Sequence, residues 1–88
     1  MNTYFTYVLK SLSDNNLYIG YTKNLLNRME EHKKGQVKST KYRRPLMLIY
    51  YEACYNQQKA LKREKYLKTT YGHRYLKNRI IASNGLLI

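Results

Sequence analysis

The chain has 88 residues, of which 17 are lysine or arginine and five are aspartate or glutamate, so its net charge is +12. This excess predicts a polyanionic partner, with a basic but merely soluble protein as the alternative. The single cysteine excludes an intrachain disulfide and a zinc site made of cysteines. No apolar run approaches the roughly 18 residues of a membrane span and no signal-peptide pattern is present, so we expect a cytoplasmic protein.

A β-hairpin is predicted at the start of the chain. Tyr4–Lys10 is rich in aromatic and β-branched residues, which is typical of a strand. The polar segment Ser11–Asn16 can form a turn, since asparagine tolerates a positive φ. A second strand begins at Leu17 and contains Gly20. An interior glycine often marks a place where another group approaches the backbone closely.

A helix is predicted after this hairpin. Thr22 or Asn24 can cap its N-terminus, and the pattern ends near Lys34. One face of this helix carries an apolar stripe. Arg28 and His32 lie four residues apart on another face, so both side chains project in the same direction.

The second half of the chain predicts a strand and two helices. A basic loop, Lys33–Arg44, has no hydrophobic period. Leu46–Cys54 is apolar at successive positions, which predicts a third strand that is buried on both faces. Gln57–Thr69 contains strong helix formers. Gly72 is predicted to break this helix, and Arg74–Ser83 to form the next one.

The order of these elements predicts an α+β fold. The pattern β-β-α-β-α-α implies a three-stranded, mainly antiparallel sheet flanked by helices, in one domain over residues 1–88. The apolar tail Leu86–Ile88 either packs on the core or frays.

Glu64 is the most informative acidic residue. It lies on or beside the inward stripe of its helix, among basic neighbours. An inward carboxylate is costly unless it is paired, and a divalent cation would pair with it. The alternative is an ordinary surface pair with Lys68 at i, i+4.

Several of these residues together resemble a known motif. Tyr18-Ile19-Gly20, with Arg28 and His32 at their spacing, resembles the second half of the GIY-YIG nuclease motif. Phe5-Thr6-Tyr7 resembles the first half in its tyrosine, with Phe5 and Thr6 in place of the family's glycine and isoleucine.

The resemblance extends over nearly the whole chain. Glu64 and Asn78 fall where the family has its acidic and asparagine positions. The chain is similar to the small N-terminal nuclease domain of the bacterial nucleotide excision repair incision subunit, and this similarity implies the same fold.

The resemblance implies phosphodiester hydrolysis with one divalent ion, magnesium or manganese, held by Glu64. Magnesium keeps several waters, so one carboxylate and a substrate phosphate suffice as further ligands. A two-ion centre needs several convergent carboxylates. The five acidic residues of this chain are too scattered for that.

The other candidate catalytic residues surround the phosphate in this interpretation. Arg28 would stabilise charge on the phosphate with its planar guanidinium, unless it only pairs on a solvated helix face. Tyr7 and Tyr18 would activate or position the attacking water, although a phenol titrates near pH 10 and both could be core aromatics. His32 would orient a tyrosine or share proton transfer, unless it is a surface residue. Asn78 would lie near the scissile phosphate.

The resemblance implies a nucleic acid as the partner and favours DNA over RNA, and the sequence leaves the choice between the two open. The basic loop would track the phosphate backbone without reading bases. The predicted substrate-binding residues are Gly20, Lys33, Lys34, Lys41, Arg43 and Arg44. Since 88 residues hold no targeting domain, substrate choice would depend on DNA structure or on a partner protein.

The sequence therefore predicts a metal-dependent, structure-directed DNA endonuclease of the kind used in DNA repair. One alternative is a nucleic-acid-binding module that keeps the fold but cleaves little or nothing, because the family's glycine and isoleucine are missing before Tyr7. A second alternative is a basic RNA-associated structural protein, which leaves Glu64 without a role.

Overall fold

The computed structural model describes residues 1–80 and 85–88. Within them the chain alternates short strands and helices, and the predicted α+β class is confirmed. The elements are β1 (Tyr4–Ser11), β2 (Leu17–Thr22), α1 (Leu25–Lys33), a 3₁₀ helix (Lys41–Arg43), β3 (Leu46–Cys54), α2 (Gln57–Leu67), α3 (Thr70–Arg79) and β4 (Leu86–Leu87). None of the helices in the described part of the chain has the length and hydrophobicity to cross a membrane.

The sheet has four strands rather than the predicted three. Its order is β2-β1-β3-β4, and every neighbouring pair is antiparallel. The fourth strand is the apolar tail, in which Leu86 and Leu87 pair with Leu48 and Met47. Ile88 then packs against the core, so the tail is held by the sheet.

The central strand is β1, and the prediction that β3 is buried on both faces is wrong. Four consecutive residues of β1, Thr6–Leu9, are buried, whereas most of β3 is half-buried and Tyr51 is 54% exposed. The reason is that β4 pairs only with Met47 and Leu48, so the rest of β3 forms an edge of the sheet.

Local turn and capping signals act as the sequence predicts. Asn15 adopts a positive φ of 62° in the hairpin turn. The Asn24 side chain accepts a hydrogen bond from the backbone N–H of Asn27 at 3.0 Å and so caps α1. Asn56 caps α2 in the same way, through Lys59.

The two faces of the sheet carry separate apolar clusters. Tyr7 and Leu9 pack with Met29 of α1 on one face, and Val8 packs with Leu67 of α2 on the other. Because successive strand residues point to opposite faces, α1 covers one side of the sheet and α2 and α3 cover the other.

The helix break lies before Gly72, so the prediction that Gly72 interrupts the helix is wrong. The α2 helix ends at Leu67, and Thr69 caps α3 by accepting a hydrogen bond from the Gly72 N–H at 3.1 Å. Gly72 is buried inside the first turn of α3, where an added Cβ would lie 2.1 Å from the carbonyl oxygen of Tyr66. The rest of the predicted helix, with Ser83, and its stop signal at Asn84 lie outside the described residues.

Replacing Gly72 with alanine should destabilise the protein. A helical glycine replaced by alanine ordinarily gains about 0.5–1 kcal/mol. Here the new methyl group meets the backbone of Tyr66 and Leu67, so we expect a loss of about 1–3 kcal/mol. The free energy of unfolding from urea denaturation measures this. Lys65→Ala, at an exposed position of α2, is the control and should change it by less than about 0.5 kcal/mol. If Gly72→Ala were as stable as the wild type, α2 and α3 would be able to move apart and accommodate the new methyl group without a cost in free energy.

Candidate active site

The phenol of Tyr7 lies against the backbone of Gly20. The two residues face each other across β1 and β2, and Tyr7 is completely buried. A Cβ at Gly20 would lie 2.4 Å from the Tyr7 hydroxyl oxygen. The group that needs the glycine is therefore the chain's own tyrosine. Gly20 is itself buried and shapes the site from within, and its role in substrate binding stays a prediction.

A continuous series of side-chain hydrogen bonds passes through this phenol. The Tyr7 hydroxyl lies 3.3 Å from Arg28 Nε and 2.8 Å from His32 Nε2. The other ring nitrogen, His32 Nδ1, lies 2.7 Å from the hydroxyl of Thr40. His32 and Thr40 are both fully buried. The arginine and histidine predicted on one helix face thus meet the tyrosine of the central strand.

The direction of these hydrogen bonds follows from Arg28, whose Nε–H can only donate to the Tyr7 oxygen and so leaves His32 Nε2 as the acceptor of the Tyr7 proton. His32 Nδ1–H then donates to the Thr40 oxygen, and the Thr40 hydroxyl has the carbonyl oxygen of Val37 at 3.5 Å. A neutral histidine protonated at Nδ1 accepts at Nε2, and the Tyr7 hydroxyl is the donor to it. Arg28 Nε–H donates to the Tyr7 oxygen. Every buried donor in the series is therefore satisfied.

Burial controls the protonation states in this cluster. It raises the pKa of the Tyr7 phenol to about 12, and the hydrogen bond from Arg28 only partly opposes this. Burial, together with the charge of Arg28, lowers the pKa of His32 to about 4. The hydrogen bond to Tyr7 raises the pKa of Arg28 further. At neutral pH the phenol keeps its proton, the imidazole is neutral and the guanidinium is charged.

Tyr18 is the tyrosine that solvent can reach. Its ring packs edge-on against His32, with centroids 5.4 Å apart, and lies 6.3 Å from the ring of Tyr7. Tyr18 is half-buried, whereas Tyr7 is enclosed. The hydroxyl of Ser39, in the basic loop, donates to the Tyr18 oxygen at 3.4 Å. The two motif tyrosines thus share one histidine but differ in access.

Glu64 is electrostatically coupled to the same cluster. Its negative charge is one of the influences that raise the pKa of Tyr7. Its carboxylate also pairs with Lys68 Nζ at 3.4 Å, the i, i+4 contact expected on a helix surface. The Glu64 side chain is 21% exposed and that of Lys68 is 54% exposed. Both the inward position and the surface pair therefore occur in the structure.

Comparison with known proteins identifies the family. Residues 3–78 match the GIY-YIG catalytic domain. The chain belongs to the GIY-YIG family. It is 45% identical over 87 residues to a UPF0213 protein of Pediococcus pentosaceus, covering 98% of this chain and 88% of that one. It is 46% identical over 70 residues to a UPF0213 protein of Staphylococcus aureus, covering 78% and 84%. The predicted resemblance is confirmed, and a GIY-YIG nuclease domain implies a nucleic acid as ligand.

A solved structure supports the fold. The solution NMR structure of a UPF0213 protein from Bacillus halodurans matches 93% of this chain and 87% of its own, with a TM-score of 0.56 and 24% sequence identity. At that identity the similarity concerns the fold alone.

The donor set of this GIY-YIG chain fits one hydrated cation. The described residues contain no group of three or more histidine, cysteine or acidic side chains that could enclose a metal. Glu64 offers one carboxylate that is partly exposed and held only by a long contact with an exposed lysine. Magnesium accepts such a site, since it keeps waters and binds substrate phosphates.

The predicted basic residues divide into two groups. Lys33, Lys34 and Lys41 are exposed. Arg43 instead binds Asp14 through Nε at 2.8 Å and lowers the pKa of that carboxyl to about 2. Its second nitrogen donates to backbone carbonyl oxygens of β2 and the preceding turn. Arg43 therefore holds the hairpin to the loop.

Arg44 and Asn78 also differ from a simple binding role. Arg44 is exposed but donates to the carbonyl oxygens of Lys33 and Lys41, and its guanidinium lies over Gly35. Asn78 is exposed on α3, on the far side of the sheet from α1, and makes no side-chain hydrogen bond to the described residues. The structure brings Tyr7, Tyr18, Arg28 and His32 together and leaves Asn78 apart.

Thr40 is the site residue that sequence reasoning missed. It lies in a segment whose basic composition predicts only a solvent-exposed loop, yet it is fully buried and fixes the ring of His32. A buried imidazole needs a hydrogen-bond partner for each of its two ring nitrogens, and this requirement was the one signal that could have indicated a residue such as Thr40.

The buried histidine makes stability depend on pH. Unfolded His32 has the ordinary pKa of 6.5 and folded His32 about 4, so the unfolded state binds more protons between these values. Stability should be constant above pH 6.5 and fall as pH drops toward 4. We expect a loss of about 2–2.5 kcal/mol between pH 7 and 4.5, measured by urea denaturation.

Two histidine variants test the origin of this dependence. In His32→Gln the stability should change little with pH in the same range. His73→Gln removes an exposed histidine on α3 and should keep the wild-type profile. A wild-type profile in His32→Gln would show that other groups cause the effect.

Proposed function

We propose that this GIY-YIG chain is a metal-dependent endonuclease that hydrolyses phosphodiester bonds in DNA, directed by DNA structure rather than by base sequence. The observation that carries this is the buried hydrogen-bonded series Arg28–Tyr7–His32–Thr40. It holds the charged guanidinium of Arg28 on the phenol of Tyr7, and the half-buried ring of Tyr18 packs against His32 of the same series in the family's catalytic domain.

Arg28 is the phosphate-stabilising group in this proposal. Its Nε–H is committed to Tyr7 and one Nη1–H to Glu31, and its side chain is 34% exposed. The remaining N–H groups can bind phosphate oxygens as negative charge accumulates on them. Because two of its donors are fixed before substrate binds, little reorganisation is needed.

Tyr18 handles the attacking water, and Tyr7 positions its neighbours. Tyr7 has no exposed surface, so its phenol cannot touch a water in the site. Tyr18 is accessible, packs on neutral His32 and can orient the water through its hydroxyl oxygen. As the new oxygen–phosphorus bond forms, the water gives its proton to solvent, and the leaving oxygen departs from the opposite side of the phosphorus atom and takes a proton from solvent.

Glu64 would hold the divalent ion, magnesium or manganese, together with waters and a substrate phosphate. Such a cation supplies neutralisation of the phosphate and of the leaving oxygen. Lys33, Lys34 and Lys41 would contact the DNA backbone, and Asn78 would act only if substrate reached α3. The similarity to the excision repair incision subunit supports a role in DNA repair in the cytoplasm, with targeting by DNA structure or a partner protein.

A non-cleaving binding module is the other candidate, and one contact argues against it. The family's glycine and isoleucine are replaced by Phe5 and Thr6. Thr6 is buried and its hydroxyl donates to the carbonyl oxygen of Ala60 in α2 at 3.0 Å. Thr6 in place of the family's isoleucine therefore helps to pack the helix that carries Glu64. Neither replacement removes a side chain with a proposed role in cleavage.

Glu64→Gln separates enzyme from binder. We expect it to abolish magnesium-dependent cleavage of a panel of linear, nicked, flapped and branched DNA substrates. Binding should be equal or tighter, because a negative charge beside phosphate is lost. Glu30→Gln removes the same charge from an exposed position of α1 and should cleave like the wild type. If the wild type and Glu64→Gln showed the same trace cleavage, the enzyme hypothesis would be rejected in favour of the binding-module hypothesis.

The two motif tyrosines should fail in different ways when changed to phenylalanine. Tyr18→Phe should lower the single-turnover cleavage rate about 10²–10⁴-fold with little loss of stability. Tyr7→Phe leaves His32 Nε2 and Arg28 Nε without their shared partner, so it should cost about 1–3 kcal/mol in unfolding free energy as well as rate. Urea denaturation alongside the kinetics distinguishes them. The reverse pattern would assign the water to Tyr7.

A further inference from the structure

A second cluster of arginines and tyrosines lies on α2 and α3. The guanidinium of Arg63 is 5.2 Å from the ring centroid of Tyr66 and 4.5 Å from that of Tyr75. Arg79 lies 5.1 Å from the same Tyr75 ring. The order Tyr66–Arg63–Tyr75–Arg79 is thus an alternating series of aromatic rings and guanidinium groups that joins the two helices.

A further pair extends this series along α3. Arg74 lies 5.9 Å from the ring of Tyr71, which is 69% exposed. We call this set the α2–α3 surface; its residues are Arg63, Tyr66, Tyr71, Arg74, Tyr75 and Arg79. Stacking on aromatic rings holds the arginines in place while the edges of their guanidinium groups stay available.

One acid, Glu52, compensates part of the charge of this surface, and its influence reaches Arg63 and Arg79. Arg63 is paired with Glu52 at 2.8 Å, which anchors the series to β3. Arg74 and Arg79 are exposed and have no acidic partner within 4.0 Å among residues 1–80 and 85–88. Fixed positive groups next to exposed aromatic rings fit a nucleic acid, whose phosphates and unstacked bases they can bind.

The α2–α3 surface and the basic loop lie on opposite sides of the sheet. Glu64 of the proposed active site is also on α2, but it follows Arg63 in the sequence and therefore lies about 100° around the helix from it. Tyr7 and Val8 are neighbours in β1 and face α1 and α2–α3 respectively. The loop follows α1 and contacts it through Thr40. The Cα atoms span 33 × 28 × 21 Å. DNA is stiff over about 150 base pairs, so one short straight duplex cannot lie on both sides of so small a protein.

We propose that the α2–α3 surface is a second DNA-binding surface, which engages a different arm of a branched DNA from the arm held at the candidate active site. The proposal rests on the proposed function in that the ligand is DNA. It identifies the preferred substrate as a junction, and it gives the described domain a means of choosing DNA structure through its own two surfaces. Two linked contacts raise affinity beyond either one alone.

Binding without cleavage tests the proposal. The probes are a fluorescent 20-base-pair duplex and a three-way junction with arms of the same length, measured by anisotropy in EDTA. We expect the wild type to bind the junction at least tenfold more tightly than the duplex. Arg74→Gln/Arg79→Gln should bring this ratio near one while duplex affinity falls by less than about threefold, since the duplex can still use the other surface.

Matched variants separate geometry from net charge. Lys33→Gln/Lys41→Gln removes two charges from the active-site side and should also bring the ratio near one. Lys23→Gln/Lys65→Gln removes two exposed charges that belong to neither surface and should keep the wild-type ratio. Tyr71→Ala, at an exposed position of the α2–α3 surface, should lower the ratio at least threefold. Thermal midpoints check that each variant is folded, and Tyr71→Ala remains informative if the arginine pair is not.

Three results would overturn the proposal. The wild type could bind duplex and junction equally. Arg74→Gln/Arg79→Gln could keep the wild-type ratio in a folded protein. All three double variants could lower both affinities by the same factor, which would mean that only total charge matters. Because EDTA prevents cleavage, a protein that prefers junctions but never cleaves with magnesium would reject the proposed enzyme and keep this inference. A protein that cleaves with magnesium but binds duplex and junction equally would reject this inference and keep the proposed enzyme.

Discussion

The hydrogen-bonded phenol of Tyr7 is the interaction on which the rest of the site depends. A hydroxyl buried in the central strand needs partners, and leaving it without them would cost about 1–3 kcal/mol. Gly20 makes the room, and Arg28 and His32 of α1 supply the hydrogen bonds. His32 in turn requires Thr40. The same network therefore docks α1 on the hairpin, closes the basic loop and aims the guanidinium.

The central strand has different tasks on its two faces. Tyr7 contributes to the candidate active site, whereas Val8 packs under α2 and α3. Thr6 points the same way as Val8 and binds the carbonyl oxygen of Ala60, one helical turn before Glu64. The strand that carries the tyrosine is thus tied directly to the helix that carries the carboxylate.

The large positive charge does not act as one surface. Arg43 and Arg44 belong to the basic loop, yet their guanidinium groups hold a carboxylate and backbone carbonyl oxygens, so they stabilise the loop's shape. The guanidinium of Arg63 is likewise used within the fold, since it pairs with Glu52 of β3. Burial raises the pKa of the Glu52 carboxyl, but hydrogen bonds from Arg63 and from a neighbouring tyrosine outweigh burial and hold that pKa below its usual range. Charge counted along the sequence therefore overestimates what is available to a partner.

The sequence by itself determined the features that depend on near neighbours. The turn at Asn15, the cap at Asn24 and the helical spacing of Arg28 and His32 are local, because each involves residues within about four positions. Only the tertiary structure decided that Thr40 orients His32, that the apolar tail adds a fourth strand and leaves most of β3 at an edge, and that Gly72 lies inside a helix. These depend on contacts between distant segments. A buried imidazole, an unpaired strand and a close helix crossing each require a partner, but local patterns do not say which distant residue supplies it.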